Sequence, residues 1–461
     1  MSILAAFMVP HPPLIVPEVG KGGESQIAET AMAYERVAEE IASLAPDTII
    51  VTSPHAIMYA DYFHISPGEF EEGSFHNYGA PRVRFSEKYD TLLVEKICEK
   101  ASLEGFPAGT LGKRDRELDH GTMVPLWAIR QKYAGGRLVR IGLSGLPLTD
   151  HYRLGQMIAR AVEETGTRAV FIASGDLSHV LQEYGPYGYK PEGPEYDRRI
   201  MDTCSRAAFG ELFDFDEVFC EKAAECGHRS FVIMAGAFDG ISVRATQLSH
   251  QDITGVGYGI CTFYPEGPDE GRHFLQVYLK KREELSALAA ERSDPFVKTA
   301  RASVDSWVRD CRRLEVPQGL PEEMYTRRAG VFVSIHKDGS LRGCIGTISP
   351  VRENIAREII ETAISAATFD PRFPPVTVGE LGRLEISVDV LEEPEDIDSP
   401  DMLDVKEYGV IVSFGNRRGL LLPNLEGVDS VEQQIAIARQ KGGIGENEKY
   451  SLQRFRVVRH F

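Results

Sequence analysis

The chain has 461 residues, of which 43% are hydrophobic and 26% are charged, and its formal net charge at pH 7 is −18. A chain of this length is expected to form two or three domains, each with a sizeable hydrophobic core. The negative charge argues against nucleic acid and anionic membrane surfaces as partners, because both repel a negatively charged protein. No apolar run reaches the length of about 18 residues that a membrane-spanning helix needs, so we expect no membrane segment.

The first residues, MSILAAFMVP, lack the basic region and the small-residue cleavage site of a signal peptide. We therefore expect a cytoplasmic protein. Its cysteines are scattered and form no C-x-x-C pair, which argues against a disulfide framework, a structural zinc site and a cysteine-bound iron–sulfur cluster. The seven cysteines are Cys98, Cys204, Cys220, Cys226, Cys261, Cys311 and Cys344.

Residues 1–265 alternate between short apolar runs and longer amphipathic stretches. This alternation is typical of an α/β domain in which helices flank a mostly parallel sheet. Helical spacing of apolar residues is clearest between the first two predicted strands and before the fourth. The predicted strands are residues 3–9, 48–53, 138–144, 169–175 and 255–264.

The composition changes after this alternating region. Residues 266–293 begin with proline, glycine and acidic residues and continue as a charged helical pattern, which predicts a linker. Residues 294–461 mix helices with hairpins, and the first hairpin has its expected turn at KDGS. The sequence therefore predicts a second, smaller domain of the α+β class.

Three histidines follow predicted strands of the first domain: His11, His55 and His179. Ligands of open α/β sheets bind at the carboxyl ends of the strands, where these histidines would converge. A single histidine at a strand end is more often a loop or capping residue, but three at equivalent positions favour a site. Two histidines and one carboxylate leave positions on iron(II) for a substrate and dioxygen.

The remaining histidines give weaker signals. His120 lies between Asp119 and Gly121 in ELDHGTMVPLWAI, where it is either part of the site or the neighbour of a helix N-cap. Five further histidines show no such context and are expected at the surface; they are His64, His76, His151, His250 and His273.

Five short motifs occur in order over residues 1–265: VPHPPL, TSPHA, DHGTMVPL, SGDLSH and ECGHRSFVIMAGAFDG. Their order and spacing resemble those of the class III extradiol ring-cleavage dioxygenases (LigB-like) and the related Memo family. The resemblance implies that His11 and His55 bind a non-haem iron and that His179 is an acid/base catalyst. It further implies that His120 contacts the substrate or takes part in proton transfer.

The third metal ligand is left open by the resemblance. The dioxygenases use a glutamate near the start of a late helix, whereas Memo-like proteins have a cysteine in a CG motif there. This chain has both, as Glu225 and Cys226. A carboxylate suits oxygen activation by iron(II), and a thiolate favours softer metals such as copper or zinc. In the alternative without a metal, Cys226 is a small buried residue and Glu225 a solvated charge at the end of a helix.

The expected activity is that of an oxidoreductase: extradiol-type cleavage of a small catechol-like aromatic substrate by dioxygen. His179 would transfer the proton, and Asp176 and Ser174 in the same turn would orient it. A run of tyrosines, Tyr184, Tyr187 and Tyr189, either lines the substrate pocket or forms an ordinary loop. The rival expectation is a Memo-like iron- or copper-binding redox or scaffold protein without ring cleavage, and metal-assisted hydrolysis is a third.

In the second domain, SLRGCIGT predicts a cysteine in a glycine-flanked turn. Cys344 is a candidate nucleophile or redox thiol, because the nearby Arg342 would favour its thiolate; it is equally a candidate small buried residue. LRGCIG and DPRFPPVT resemble the AMMECR domain over residues 294–461, which implies a compact fold with a concave surface near Arg342 and Cys344. AMMECR, Memo-like and radical-SAM proteins recur as a group in prokaryotes, called AmmeMemoRadiSam. A radical-SAM protein is thus an expected partner, and a homo-oligomer is compatible with the sequence.

Overall fold

The computed structural model describes residues 3–113, 115, 117–425, 427–445 and 448–461. The chain divides into two compact units, Met1–Tyr278 and Leu279–Phe461. Within the described ranges, no helix combines the length and the apolar character needed to cross a membrane.

The first unit is an α/β domain whose charged C-terminal helix, α9, continues into the second unit. Its helices and strands are, in chain order, β1 (Ile3–Val9), α1 (Pro17–Gly20), α2 (Ala28–Leu44), β2 (Thr48–Ser53), β3 (Phe63–His64), β4 (Phe70–Phe75), β5 (Ala80–Lys88), α3 (Thr91–Leu103), β6 (Ala108–Gly109), α4 (His120–Arg130), β7 (Arg137–Gly142), α5 (Leu148–Thr165), β8 (Ala169–Ser174), α6 (Glu192–Ser205), α7 (Glu217–Ala223), α8 (His228–Gly236), β9 (Ile241–Gln251), β10 (Tyr258–Pro268) and α9 (Phe274–Arg292).

The central sheet has the strand order β7-β2-β8-β1-β10-β9. Strands β7, β2, β8 and β1 are parallel, whereas β10 pairs antiparallel with β1 and β9 antiparallel with β10. The prediction of a mostly parallel sheet is confirmed. The last of the predicted strands, observed as β10, runs in the opposite direction to β1. Strands β2 and β8 are buried along their whole length, because helices α2 and α4 cover one face and α5 and α8 the other.

The second unit is smaller and contains two four-stranded antiparallel sheets, ordered β12-β11-β13-β18 and β14-β17-β15-β16. Helices α10 and α12 pack on the first sheet. Its elements are α10 (Pro295–Asp310), α11 (Glu322–Thr326), β11 (Val331–Lys337), β12 (Ser340–Gly346), α12 (Ile355–Thr368), β13 (Leu384–Leu391), β14 (Glu395–Ile397), β15 (Gly409–Phe414), β16 (Arg417–Leu421), α13 (Val431–Lys441), β17 (Ser451–Phe455) and β18 (Val457–His460).

Three local predictions require correction. Cys344 lies inside β12 and pairs with Ser334 of β11, so it is a strand residue and not part of a turn. His64 and His151 were expected at the surface but are 1% and 0% exposed. Each donates an Nδ1–H to a backbone carbonyl, which satisfies one ring nitrogen without water. The predicted hairpin turn is present, with φ of 54° at Asp338 and 88° at Gly339.

A buried arginine joins the sheet to the segment that precedes α4. Arg140 of β7 is 1% exposed, and its guanidinium donates to the carboxylates of Asp115 and Asp119. Its Nε–H donates to Ser66 Oγ at 2.8 Å. Asp119 in turn is the N-cap of α4 and accepts the peptide N–H of Thr122. One guanidinium therefore holds the start of α4 against the sheet.

We expect Arg140→Leu to lower the free energy of unfolding of the first unit by about 3 kcal/mol, because the change leaves two partly buried carboxylates without their cation. Urea unfolding of the full chain measures this loss. Arg137→Leu is the matched control, since Arg137 is exposed on the same strand and should cost less than about 0.5 kcal/mol. Equal losses in the two variants would contradict the structural role of the ion pair.

Candidate metal centre

The carboxyl ends of β1, β2 and β8 lie side by side, and each is followed by a histidine of the predicted site. His11 comes two residues after β1, His55 two residues after β2, and His179 five residues after β8. Cys226 approaches the same edge from the start of α8. Gly227, the residue after it, packs against Gly175 so closely that a methyl group on Gly175 would lie 2.0 Å from the Cα of Gly227.

His11, His55 and Cys226 form a group of three potential metal ligands, whose ligand atoms all lie within 4.8 Å of one another. The Nε2 atoms of His11 and His55 are 3.0 Å apart, and Cys226 Sγ is 3.6 Å from His11 Nε2. With bonds of about 2.1 Å to nitrogen and about 2.3 Å to sulfur, two ligands of one ion lie roughly 3–3.7 Å apart. The two distances to His11 Nε2 thus match a first-row transition metal, and the remaining pair, His55 and Cys226, lies within 4.8 Å.

The hydrogen bonds of His11 determine which of its nitrogens faces this group. Ser174 Oγ donates its only hydrogen to the carbonyl of Gly121 at 2.6 Å, so it accepts from His11 Nδ1–H at 3.0 Å. The tautomer assigned from this network leaves a lone pair on Nε2. Ser174 was predicted to orient His179, and the structure instead places its hydroxyl on His11.

Asp176 supports the group from the turn after β8. Its Oδ1 accepts the peptide N–H of His11 at 2.7 Å, and its own peptide N–H donates to Cys226 Sγ at 3.3 Å. Its other oxygen, Oδ2, lies 3.8 Å from His11 Nε2 and 4.0 Å from His179 Nε2. Burial raises the pKa of Asp176 to about 6, against the opposing effects of the His11 N–H and of His179.

Glu225 does not join the group, although it precedes Cys226 in the chain. Its Oε2 accepts the peptide N–H of His228 at 2.6 Å and faces the hydroxyl of Tyr196. It thus stabilises the N-terminus of α8, where a carboxylate is favoured. Burial raises the pKa of Glu225 to about 7, and the hydrogen bond from His228 acts in the opposite direction.

His120 is the first residue of α4, and its ring packs against those of His55 and His11. Its ring centroid lies 4.0 Å from that of His55 and 5.3 Å from that of His11. Burial and the neighbouring His55 and His11 lower the pKa of His120 to about 3. Tyr78 contacts the other side of this cluster, with its ring 5.6 Å from that of His120. No sequence signal pointed to Tyr78.

Burial favours neutral imidazoles and a protonated thiol in this group until a cation binds. Burial lowers the pKa values of His11, His55 and His179. Burial also raises the pKa of the Cys226 thiol, and the carboxylates of Asp176 and Glu225 add to this effect. A metal ion reverses the balance for the thiol, because a coordinating thiol loses its proton.

The second unit places Arg342 and Cys344 in different hydrogen-bond networks. The guanidinium of Arg342 donates to Glu380 at 2.9 Å and to the carbonyl of Pro374 at 2.8 Å. The sequence predicts that this guanidinium favours the thiolate of Cys344, but its hydrogen bonds go to these other groups. Burial raises the pKa of Glu380, but Arg342 and further donors outweigh it and bring the pKa to about 2. The peptide N–H of Cys344 donates to Asp370, and its Sγ accepts from the hydroxyl of Ser334 at 3.2 Å.

Comparison with known families and proteins gives matches over both units. The model of the catalytic LigB subunit of aromatic ring-opening dioxygenase matches residues 5–261, and the AMMECR1 model matches residues 297–460. A protein of Clostridium acetobutylicum is 41% identical over 468 aligned positions, which cover 100% of this chain and 99% of that protein.

Other relatives match a smaller share of the chain. A protein of Thermotoga maritima is 51% identical over 168 positions, 36% of this chain and 97% of its own length. The crystal structure of an uncharacterised protein of Pyrococcus horikoshii is similar to 37% of this chain, with 91% of that protein covered, 30% identity and a TM-score of 0.34.

We expect Cys226→Ala to weaken iron(II) binding by more than about 100-fold, since it removes a ligand and not merely a supporting hydrogen bond. His11→Ala should behave in the same way. Glu225→Gln is the matched control at the neighbouring position. Its affinity for iron(II) should stay within about threefold of that of the unmodified chain, because the carboxylate of Glu225 faces α8. Anaerobic iron titration with metal analysis measures all three, and a loss in Glu225→Gln equal to that in Cys226→Ala would refute this ligand set.

We further expect Ser174→Ala to weaken metal binding by about 10- to 100-fold, because His11 then lacks the acceptor that selects its tautomer. Ser178→Ala is the control: this hydroxyl lies in the loop that follows β8 and donates to the carbonyl of Ala223. The same titration applies. If both serine variants bind metal like the unmodified chain, the hydroxyl of Ser174 has no influence on the site.

Proposed function

The chain belongs to the LigB family, here joined to an AMMECR1 domain, and from this membership we propose a function for the first unit. The unit is a non-haem iron(II)-dependent dioxygenase that opens a catechol-like aromatic ring. The observation that carries the proposal is the convergence of two histidine Nε2 atoms and one Sγ at the carboxyl edge of the sheet, beside two further histidines.

In this proposal His11, His55 and Cys226 hold the iron. Iron(II) bound there supplies a Lewis acid for the phenolic oxygens and a reducing centre for dioxygen. His11 is buried, whereas His55 is exposed and Cys226 partly so. The group is therefore accessible to a small molecule from the side of His55.

His179 transfers the proton of a substrate hydroxyl. Because burial lowers its pKa, the imidazole is neutral at pH 7 and offers a lone pair as a general base. Asp176 Oδ2, 4.0 Å from His179 Nε2, stabilises the imidazolium that forms. His120, also neutral, lies beside His55 and contacts the substrate there. Both oxygen atoms of dioxygen are incorporated in the ring-opened product, so the reaction needs no further reductant.

A second candidate function is favoured by the identity of the third ligand. A thiolate with two imidazoles favours copper, zinc or a redox iron site, whereas iron(II) oxygenases more commonly use two histidines and a carboxylate. In that case the first unit is a metal-binding redox protein that works with a radical-SAM partner and cleaves no ring. The AMMECR1 domain recruits or presents the substrate under either proposal.

Oxygen uptake by the iron-loaded full chain tests the first proposal. We expect uptake with a panel of catechols, including 4-nitrocatechol, with one dioxygen consumed per ring opened. His179→Ala should lower the rate by about 10²- to 10⁴-fold, the usual contribution of a general base, while iron content stays unchanged.

Absence of uptake across the catechol panel at full iron occupancy would count against ring cleavage. Turnover in His179→Ala at the rate of the unmodified chain would count against His179 as the base. Reversible reduction and oxidation of bound copper or iron, without any ring-opened product, would support the second candidate function.

A further inference from the structure

The imidazole of His179 lacks a hydrogen bond to any residue in the described part of the chain. The nearest charged atom is Asp176 Oδ2, 4.0 Å from Nε2 and too far for a hydrogen bond. Only the backbone is anchored, through the peptide N–H of His179 and the carbonyl of Ala223. The ring plane of the proposed base must therefore be held by packing.

Tyr187 provides this packing. Its ring lies 5.3 Å from that of His179, centroid to centroid, and the two planes are inclined by 24°. This is the offset stack that aromatic rings prefer. Tyr187 is nevertheless 65% exposed, so burial in the core does not explain its position.

The segment that carries Tyr187 is held at its base. Leu181 and Tyr189 form an antiparallel bridge, which closes the segment like a hairpin. Gly185 packs directly against Gly255, where a methyl group on Gly255 would lie 2.6 Å from the Cα of Gly185. These contacts restrict the loop and keep the Tyr187 ring over His179.

The other two tyrosines of the segment do not take this role. The hydroxyl of Tyr184 faces the carbonyl of Ile253 at 3.4 Å, and its side chain is 73% exposed. Tyr189 contributes its backbone to the bridge with Leu181. Among the tyrosines of the run, the stack on His179 involves Tyr187 alone.

We propose that Tyr187 is a positioning residue for His179: its ring restrains the imidazole so that Nε2 faces the metal group and the bound substrate. The inference rests on the role of His179 in the proposed function. A base that rotates freely spends only part of its time in the productive orientation, which lowers the rate of proton transfer. The ring performs this role, and the tyrosine hydroxyl is not required.

The first test is independent of activity. In the full chain labelled with [13Cε1]-histidine, the Hε1 resonance of His179, assigned with His179→Ala, should be shifted upfield by the stacked ring. Tyr187→Phe should keep that shift, Tyr187→Ala should lose it, and Tyr184→Ala should keep it as the matched control. An unchanged resonance in Tyr187→Ala would overturn the proposal.

The second test separates positioning from binding in oxygen uptake with 4-nitrocatechol. We expect Tyr187→Ala to lower kcat about three- to tenfold, the factor that one ring stack contributes, with KM and iron content within twofold. Tyr187→Phe should restore kcat. A Tyr187→Phe variant as slow as Tyr187→Ala would overturn the proposal, because the hydroxyl would then be the active group. If the unmodified chain consumes no oxygen, ring cleavage fails as the function, and the resonance of His179 still decides the role of Tyr187.

Discussion

The parallel pairing of β1 with β8 is the constraint on which the site depends. Val9 and Ser174 are partners at the ends of these strands, and the ladder continues beyond them when the peptide N–H of Gly175 donates to the carbonyl of Val9. The next donor, the peptide N–H of His11, has no strand carbonyl to meet and binds the carboxylate of Asp176 instead. The register of β1 against β8 thereby fixes the positions of His11 and Asp176 relative to each other.

Much of this arrangement was predictable, because it follows from topology. His11, His55 and His179 each follow an apolar run, and parallel strands bring such positions to one edge whatever the intervening helices do. The same holds for the mostly parallel sheet and for the two families that the motifs resemble. Predictions of this kind need only the order of the elements and not the direction of any side chain.

The rest depended on side-chain directions that spacing does not reveal. Glu225 and Cys226 are neighbours, yet only one of them can face the sheet edge where α8 begins, and the close contact of the backbone at Gly227 decides which. Ser174 is the last residue of β8 and close in the chain to His179, but its hydroxyl binds the histidine that follows the adjacent strand. His151 was misplaced because a polar residue in the first turn of a helix resembles a surface residue, while its ring is buried against Phe63.

The contact of Arg342 with Glu380 gives a structural interpretation of the motifs LRGCIG and DPRFPPVT in the second unit. The residues are 38 positions apart, one in LRGCIG and the other just beyond DPRFPPVT, and both side chains are largely buried. Loss of Glu380 would leave the largely buried guanidinium of Arg342 without its carboxylate, so the two motifs depend on each other structurally. Their joint appearance in a distant relative is then evidence that strand β12 is clamped in the same way. It is not, by itself, evidence that the relative performs chemistry at Cys344.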